Sequence, residues 1–404
     1  MSDESKLSRR DFIKGAAAGA AVVGAGAILG TTPAAAQTQC PIPGVPTTWD
    51  FETDVLVCGY GTAGMPAAID AHDAGADVLI IEVADWAGGC LRRAKGGIIG
   101  VNTAVQKALG VVGDSPDRVY KYMLNCGEGL VDPALLRVVA DNCGPNADWI
   151  TVELGWFPIS EWKLGPGANA NDTVPNLMVS ENLATLARFG ETPIERCLWH
   201  KADPNEPLLV NKQYRGGNVP GGGTGLYKAL NDAITKRAIK SMLETSVVEL
   251  IATSDREVLG VKALQGGKIV NIRARKGVVL ASGTFINNAE MVKNFSPRYI
   301  GQSTQIIVPN GSGGGIKAAQ AIGADLINMD VSATGSLETG GLHINVKGQV
   351  LDVFGKVMPR LYSAPFTAAG THGTLTPGSG YHIAMSVCFG RVSGKNAASE
   401  SRLA

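Results

Sequence analysis

The sequence lacks an excess charge of either sign and lacks paired cysteines. Its 404 residues include 36 Lys plus Arg and 36 Asp plus Glu, so no net field favours nucleic acid or an acidic membrane surface. The seven cysteines are dispersed, with neither a C-x-x-C nor a C-x-x-C-H pair. A structural zinc site and a covalently attached c-type haem are therefore not predicted. An odd cysteine count names no disulfide pair, although an oxidising compartment would allow one.

Glycine, in contrast, is abundant. There are 52 glycines among 404 residues, about 13% against a usual ~7%, and they gather at turns. This composition predicts a loop-rich α/β protein with one large domain or two modest ones. The glycine cluster at 221–225 lacks the Gly-Lys-Ser/Thr ending of a P-loop, so a nucleoside triphosphate site is not predicted there.

The N-terminus predicts an export signal. The twin-arginine pattern S-R-R-D-F-I-K begins at Ser8, an Ala- and Gly-rich apolar stretch follows, and Ala34-Ala35-Ala36 offers a cleavage site. The apolar stretch is short for a membrane span, so we expect removal of residues 1–36 and no stable span afterwards. The predicted location is periplasmic or otherwise extracytoplasmic. Twin-arginine export carries folded proteins, which suits a chain that takes up its cofactor in the cytoplasm.

A dinucleotide-binding motif follows. The apolar run D-V-L-V-C ends at Cys58, and G-Y-G-T-A-G leads into a helical pattern. In such a fold Gly59 makes the tight turn, Gly61 lets the backbone approach a pyrophosphate, and Gly64 packs helix on strand. The helix N-terminus would bind the phosphates. A second apolar run ends at Glu82, an acid placed to bind the adenosine ribose.

A second glycine-flanked loop, G-G-C-L-R-R-A-K-G-G at 88–97, distinguishes this chain from a domain that binds only NAD. Here the sequence resembles the FAD-dependent oxidoreductases of the fumarate reductase and succinate dehydrogenase flavoprotein type, including the soluble flavocytochrome c type. The glycine pairs match that family's GGxSxxSGG-like loop, which wraps the FAD pyrophosphate and ribityl chain. The polar residues between them do not match.

The resemblance continues along the chain. It covers D-S-P and L-V-D-P-A-L-L-R in the helical region 114–154, A-S-G at 281–283, and the C-terminal helix. It implies an α/β fold with a doubly wound, Rossmann-like FAD domain, an antiparallel meander over the adenine and a reduced substrate-side region. The implied FAD-binding residues are Gly59, Gly61, Thr62, Ala63, Gly64, Glu82, Gly89, Cys90, Leu91, Gly96, Gly97, Val248, Ala281, Ser282, Gly283, Gly380, Tyr381, His382 and Ile383.

Several positions depart from the family pattern. Gly314 replaces the acid of G-D-G-I, Leu337 the histidine of H-T-M-G-G-L, and Phe366 the FAD-binding Glu of L-Y-A-A-G-E. Thr376 replaces an arginine that binds a substrate carboxylate, and the capping insertion is reduced to 331–339. A dicarboxylate needs arginine clamps and a proton donor opposite the hydride. Fumarate itself is therefore disfavoured, and an enone-type or ketosteroid-type substrate is the expectation.

The predicted catalytic candidates are His382, Tyr381, His372 and Arg215. The resemblance places Tyr381 and His382 beside the isoalloxazine, either through side chains or through backbone contacts only. A structural hydrogen bond is the alternative for His372, and solvation is the alternative for Arg215. Cys90 falls where succinate dehydrogenases carry the histidine that bonds to FAD, so a thioether and an ordinary loop cysteine are both compatible with it.

The predicted organisation is a signal peptide at 1–36, an FAD domain in three parts at 50–155, 221–330 and 340–404, substrate-side loops at 156–220 and a cap remnant at 331–339. The predicted function is an exported FAD-dependent oxidoreductase with a small-molecule substrate and a separate quinone or cytochrome as electron partner. A ketosteroid dehydrogenase-like enzyme is one alternative, because T-P-G-S-G at 376–380 resembles the Y-P-G-x-G element of that group without its tyrosine. A flavin-binding protein without catalysis is another.

Overall fold

The centre of the fold is a largely parallel sheet of apolar strands. It is described from a computed structural model over residues 44–155, 158–165, 174–203, 205, 222–297, 311–329, 340–373 and 375–403. Parallel strands are covered on both faces, which is why they carry continuous apolar runs. The strands are β1 (Phe51–Cys58), β2 (Val78–Ile81), β3 (Gly97–Ile99), β4 (Lys163–Leu164), β5 (Asn176–Met178), β6 (Cys197–Trp199), β7 (Lys240–Met242), β8 (Thr245–Ala252), β9 (Val258–Gln265), β10 (Lys268–Leu280), β11 (Leu326–Ile327), β12 (Gly341–Leu342), β13 (Gln349–Leu351) and β14 (Val357–Ser363).

The strand order brings three chain segments to one edge of the sheet. The order is β13-β14-β10-β1-β2-β7, and β1 pairs in parallel with both β10 and β2. Cys58 at the end of β1 lies opposite Leu280 of β10 and Ile81 of β2. The segments that follow these strands therefore meet at the carboxyl edge, where ligands bind in open α/β sheets. The predicted α/β fold with a Rossmann-like sheet is confirmed.

The predicted meander is present, with one difference. Strands β8 and β9 pair antiparallel, and β9 pairs antiparallel with β10. The sequence predicts the third meander strand and the buried strand at 277–280 as separate elements, whereas β10 is continuous over 13 residues. Its first half pairs with β9 and its end pairs with β14, so one strand serves both parts of the sheet.

Helices cover the sheet. They are α1 (Gly64–Asp73), α2 (Gly89–Arg93), α3 (Ala104–Ala108), α4 (Pro116–Gly127), α5 (Pro133–Asp148), α6 (Leu183–Arg188), α7 (Gly223–Lys236), α8 (Ala289–Phe295), α9 (Gly314–Ala321) and α10 (Tyr381–Ser399), with a π-helical turn at Trp149–Glu153 and a 3-10 turn at Ile159–Glu161. The Ser115 and Asp132 side chains cap α4 and α5, each followed by a proline at the first helical position. Both helices lie where the cap and spacing signals predict them.

The prediction of loops alone between Trp156 and Gln213 is wrong for the described part of that region. Strands β4, β5 and β6 join β3 in a small sheet of order β3-β6-β5-β4, and α6 lies among them. These strands have only two or three residues, too few to leave a recognisable alternation in the sequence. Arg215 and the cap remnant at 331–339 lie outside the described residues, as does the signal peptide.

Helix α10 packs closely on α1 through small residues. A Cβ added at Gly390 would lie 2.3 Å from the Ala63 carbonyl oxygen, and one at Gly394 would lie 2.1 Å from the Ala67 carbonyl oxygen. Real Cβ atoms do not approach a backbone oxygen so closely. The two glycines therefore set the distance between the helix that follows the glycine turn and the helix that ends the chain.

We expect Gly394→Ala to destabilise the protein by about 1–3 kcal/mol, because overpacking a close helix contact forces the backbone apart. Thermal unfolding followed by circular dichroism measures this as a lower midpoint. Lys395→Ala, on the same helix with a side chain 60% exposed, is the control and should change little. Equal midpoints for Gly394→Ala and the control would contradict the packing argument.

Candidate functional site

An open cleft runs along the carboxyl edge of the sheet. Among the described lining residues Glu82 is the one carboxylate, and neither Lys nor Arg occurs. The lining comprises Cys58, Gly59, Gly61, Thr62, Ala63, Ile81, Glu82, Val83, Ala84, Trp86, Gly89, Cys90, Thr245, Ser246, Val247, Ala281, Ser282, Gly283, Thr284, Ser312, Gly314, Gly315, Pro365, Phe366 and Ser386.

The first glycine turn forms one wall. Gly59 has φ +121°, and an added Cβ would lie 2.2 Å from the Ala281 carbonyl oxygen, so a side chain there would separate β1 from the segment after β10. At Gly64 an added Cβ would lie 1.8 Å from the Gly59 carbonyl oxygen. A Cβ at Gly61 would meet no atom within 4 Å. The outer two glycines thus serve packing, and the middle one leaves open space in the cleft.

Glu82 holds this turn in place. Its Oε2 accepts a hydrogen bond from the Tyr60 backbone N–H at 2.8 Å, and its Oε1 accepts one from the Ala84 N–H at 2.9 Å. Burial raises the pKa of Glu82, and the backbone hydrogen bonds oppose that shift. Each carboxylate oxygen keeps a second lone pair for a ligand hydroxyl. The predicted ribose-binding acid therefore also braces the loop that would lie against the phosphates.

The second glycine loop contributes Gly89 and Cys90 to the lining. Leu91 is 1% exposed and packs in the core, so its side chain does not face the cleft. An added Cβ at Gly96 would lie 2.1 Å from the Gly222 carbonyl carbon, and one at Gly97 would lie 2.7 Å from the Cys197 Sγ. These three residues lie outside the described lining and pack the loop, and their predicted contact with the cofactor stays a prediction.

The segment after β10 forms the opposite wall. The Gly283 backbone N–H donates to the Thr367 Oγ1 at 2.8 Å, and Gly283 has φ +74° with open space where a Cβ would stand. Beside it, an added Cβ at Gly315 would lie 2.4 Å from the Ser282 Oγ. The A-S-G element thus lines the cleft as predicted, and α9 closes on it because Gly314 and Gly315 carry no side chains.

The meander reaches the cleft through Thr245, Ser246 and Val247 at the start of β8. Val248 is 43% exposed and lies outside the described lining, where the pairing of β8 with β9 is irregular between Val247 and Glu249. The contact predicted for the Val248 backbone stays a prediction.

Two histidines lie behind the Phe366 end of the cleft. The His382 Nε2 lies 3.2 Å from the His372 Nδ1, and the His382 and Phe366 rings are 5.5 Å apart between centroids. His372 is 3% exposed, its Nε2 has no hydrogen-bond partner among the described residues, and burial lowers its pKa to about 4. The structure thus brings two of the predicted catalytic residues, His372 and His382, together. Neither is in the described lining of the cleft, but His382 contacts Phe366, which is.

Tyr381 points elsewhere. Its side chain is fully buried and donates a hydrogen bond to the Glu181 Oε1 at 2.7 Å, beside the Arg196 guanidinium. The preceding Gly380 has φ +88° and lies against Ile99 and Cys197, and Ile383 is half-buried. These residues, like His382, lie outside the described lining, so their predicted contact with the cofactor is limited to the backbone or stays a prediction. The Tyr381 hydroxyl is excluded from reacting atoms in the cleft by its bond to Glu181.

Sequence reasoning missed several residues of the site. Trp86, Ser312 and Ser386 line the cleft, and no motif marked them. Thr284 and Pro365 also line it, and they belong to the A-S-G and L-Y-A-A-G-E elements without having been predicted to bind FAD. The buried group of Arg196, Asp114 and Glu181 was also missed, because its members are spread over about 80 residues of sequence. Asp114 is the acid of the D-S-P motif, whereas Glu181 and Arg196 belong to no motif.

Comparison with known proteins defines the family. The family model described as an FAD binding domain matches residues 54–335, so the chain belongs to this family of FAD-binding proteins. The twin-arginine translocation signal model matches residues 6–27, which establishes export by that route. The cofactor of this chain is FAD. Within the described residues no helix is long and apolar enough to cross a membrane.

Three relatives of known function share the sequence. An NADH:fumarate oxidoreductase of Klebsiella pneumoniae is 32% identical over 68% of this chain and 25% of its own length. An acrylate reductase flavoprotein subunit of Shewanella woodyi is 28% identical over 81% of this chain and 56% of its own length. A digoxin reductase of Eggerthella lenta is 27% identical over 84% of this chain and 59% of its own length. The chain thus spans from a quarter to under two thirds of these relatives.

A solved structure shares the fold. The 3-ketosteroid-Δ4-(5α)-dehydrogenase of Rhodococcus jostii RHA1 superposes with a TM-score of 0.75, covering 88% of this chain and 98% of that chain at 23% identity. The likeness extends the fold assignment beyond the residues matched by the family model.

The residues of the cleft fit FAD. The open space at Gly61 and Gly283 admits a ligand close to the backbone, and α1 begins directly after the lining residues Thr62 and Ala63. The first N–H groups of a helix lack intrahelical partners and favour an anion, so a pyrophosphate needs no Lys or Arg in this wall. Glu82 retains lone pairs for hydroxyl groups.

We expect Gly61→Ala to leave the fold intact and weaken FAD binding by at least about tenfold, because a methyl group there occupies the space that the pyrophosphate needs. Titration of the apoprotein with FAD, followed by flavin fluorescence, measures the affinity. Gly64→Ala is the matched contrast, since its Cβ meets the Gly59 carbonyl oxygen; it should lower the unfolding midpoint instead. Wild-type affinity in Gly61→Ala would contradict this assignment of the cleft.

Proposed function

We propose that this chain is an exported FAD-dependent oxidoreductase that moves a hydride to or from a carbon next to an activating carbonyl in an uncharged substrate. The observation that carries the proposal is the Phe366 end of the FAD cleft, where an aromatic ring lies in front of a pair of hydrogen-bonded histidines. Apolar surface and a proton-exchanging group there suit chemistry at a C=C bond.

The chain's own residues would hold FAD and shield the reaction. Gly61 and Glu82 would bind the pyrophosphate and the ribose, and the segment 281–283 would lie along the opposite side. Bound FAD supplies the chemistry of accepting or giving a hydride at its N5 atom. Pro365 and Phe366 would exclude water from the reacting end, because they present apolar surface to the cleft.

The histidine pair would hold and move the proton. At neutral pH His372 is uncharged, because its pKa is lowered to about 4 by burial. A neutral imidazole has one donor and one acceptor nitrogen, so one of the two histidines donates across the 3.2 Å contact. His382, the half-buried member nearer Phe366, is the one that would exchange a proton with a substrate or with water.

The substrate is proposed to be uncharged. No Lys or Arg occurs among the described lining residues, and Thr376 stands where the family resemblance expects a carboxylate-binding arginine. Among the described lining residues a carboxylate would lack the charge-assisted partners that normally bind it. The likeness to a digoxin reductase supports a substrate that carries no carboxylate, and the likeness to the fumarate and acrylate enzymes supports chemistry at a C=C bond.

Electrons would come from, or go to, a separate protein or quinone. Within the described residues no group of three or more His, Cys, Asp or Glu residues could hold a metal ion. The proposed electron partner is a quinone or a cytochrome outside this chain.

We expect His382→Gln to slow reduction of a 3-keto-4-ene steroid roughly 100-fold without loss of bound FAD, because general acid catalysis contributes on that order. The dithionite-reduced protein is mixed anaerobically with the steroid, and the return of flavin absorbance gives the rate. His343→Gln is the control, since the His343 Nδ1 lies 2.9 Å from Asp325 and outside the described lining.

Three outcomes of the same assay contradict parts of the proposal. Oxidation by fumarate but not by enones would show that the substrate class is wrong. Equal rates for His382→Gln and wild type would remove the proton role from the histidine pair. A flavin that no enone, carboxylate or dye oxidises would favour a flavin-binding protein without catalysis.

A further inference from the structure

We infer that Tyr381 is a positioning residue: its hydrogen bond to Glu181, held by Arg196, fixes the first turn of α10 and thereby sets His382 against Phe366 at the reacting end of the cleft. This inference rests on the proposed function, because it concerns the same end of the same cleft. The group Asp114, Glu181, Arg196 and Tyr381 is called the anchor cluster below.

The four members of the anchor cluster make polar contacts with one another in the protein interior. The Tyr381 hydroxyl donates to the Glu181 Oε1 at 2.7 Å, and the Arg196 Nε lies 3.3 Å from the same oxygen. The Arg196 Nη2 lies 3.0 Å from the Asp114 Oδ1, and the Arg196 Nη1 lies 3.5 Å from the Tyr381 hydroxyl. The Arg196, Asp114 and Glu181 side chains are 4%, 3% and 1% exposed.

Each carboxylate of the anchor cluster is also bonded to its own segment. The Glu181 Oε2 accepts from the Ser180 backbone N–H at 3.1 Å, and the Asp114 Oδ1 accepts from the Ser115 N–H at 2.9 Å. The Asp114 Oδ2 accepts from the Gln106 side-chain amide at 3.0 Å. Desolvating charges is costly unless they are paired and hydrogen-bonded, and both carboxylates of the cluster meet this condition. The Arg196 Nε lies 3.3 Å from Glu181 as an ion pair and has no hydrogen-bond partner among the described residues.

The electrostatics keep Tyr381 a hydrogen-bond donor. Burial raises the pKa of the Tyr381 hydroxyl, and the Glu181 charge raises it further, so the phenol is the donor of this hydrogen bond at neutral pH. The two carboxylates exceed the single guanidinium by one negative charge. The positive end of the α10 dipole, which begins at Tyr381, lies beside this excess and stabilises it.

The first turn of α10 connects the anchor cluster to the cleft. Tyr381 and His382 are adjacent, and successive helix side chains diverge by about 100°. One side chain enters the cluster while the next contacts His372 and Phe366. One turn later Ser386 lines the cleft itself. A rotation of this turn about the helix axis would carry His382 away from Phe366.

The start of the turn is also held by its neighbours. The Tyr122 hydroxyl donates to the Pro377 carbonyl oxygen at 2.8 Å, and the Ile99 N–H donates to the Gly380 carbonyl oxygen at 3.3 Å. The Tyr381 ring lies 5.9 Å from the Tyr122 ring between centroids. Because no side chain caps the helix, the bond of the Tyr381 hydroxyl to Glu181 is the first polar side-chain contact of α10.

The test compares two Tyr→Phe variants of the full-length protein at the two ends of one helix. Tyr381→Phe removes the hydroxyl that bonds Glu181. Tyr362→Phe removes a buried hydroxyl that donates at 2.6 Å to Glu400, the residue that follows the last turn of α10. Both changes remove one Tyr-to-Glu hydrogen bond, so a general loss of stability affects both.

Hydrogen exchange across residues 378–390 and the visible circular dichroism of bound FAD are measured for each variant. We expect Tyr381→Phe to exchange at least about fivefold faster in the first turn, in line with loss of a hydrogen bond to a charged group, and to change the flavin dichroism. Tyr362→Phe should keep the wild-type flavin spectrum and the wild-type exchange in this turn.

Two results would overturn the inference: wild-type exchange and dichroism in Tyr381→Phe, or the same changes in both variants. If Tyr381→Phe does not fold, Glu181→Met replaces it, because a side chain of similar length without oxygen removes the acceptor of the Tyr381 hydroxyl. An unaltered first turn and spectrum there would also overturn the inference. Exchange is measured with and without FAD. A wild-type chain that binds no FAD would defeat the proposed function, while the exchange comparison still decides the role of Tyr381.

Discussion

The close approach of β1 to the segment after β10 is the constraint on which the site depends. A side chain at Gly59 would lie 2.2 Å from the Ala281 carbonyl oxygen, so the two strand ends can meet only because this residue is glycine. Their meeting places the two backbone walls of the cleft opposite each other. Gly64, Gly390 and Gly394 act in the same way. Because these residues have no side chain, their helices can lie close to the backbone of a neighbouring segment. The glycine content of the sequence is therefore used in packing as well as in turns.

The part of the cleft that would bind the cofactor is separate from the part proposed to carry out the reaction. The FAD-binding wall is made of backbone, small side chains and one carboxylate, on elements fixed by the central sheet. The reacting end is assembled from the last third of the chain: Phe366 after β14, and His372 and His382 before and within α10. The anchor cluster ties this end to the small sheet through Glu181 and Arg196. Substitutions in the two parts should accordingly have separable effects on cofactor affinity and on rate.

The cofactor half of this arrangement could be predicted from sequence because its signals are local. Gly59, Gly61 and Glu82 stand at fixed spacings around two apolar strands, and backbone geometry demands those residue types. The positions of Leu91, Gly96 and Gly97 could not be told from the loop motif, since a glycine that packs and a glycine that lines a cleft look alike in sequence. The small sheet was missed since its strands are too short to show a period.

The anchor cluster could not be predicted from the sequence for a different reason. Arg196, Asp114 and Glu181 are joined by tertiary structure alone, and buried charges carry no distinguishing pattern in a sequence. Tyr381 and His382 are adjacent in sequence, and adjacency does not show which side chain faces the cleft. The Tyr381 hydroxyl bonds to Glu181 and the His382 ring contacts Phe366, and their predicted roles beside the cofactor stay predictions.

The central claim is that the cleft binds FAD, and an absorbance spectrum of the purified exported protein tests it most directly. The account predicts the visible bands of a flavin in stoichiometric amount, with the band positions of a bound rather than a free cofactor. After acid denaturation, release into the supernatant would identify non-covalent FAD, and retention in the pellet would locate a covalent bond for which Cys90 is the first residue to replace. A colourless protein that takes up no FAD on reconstitution would contradict the account.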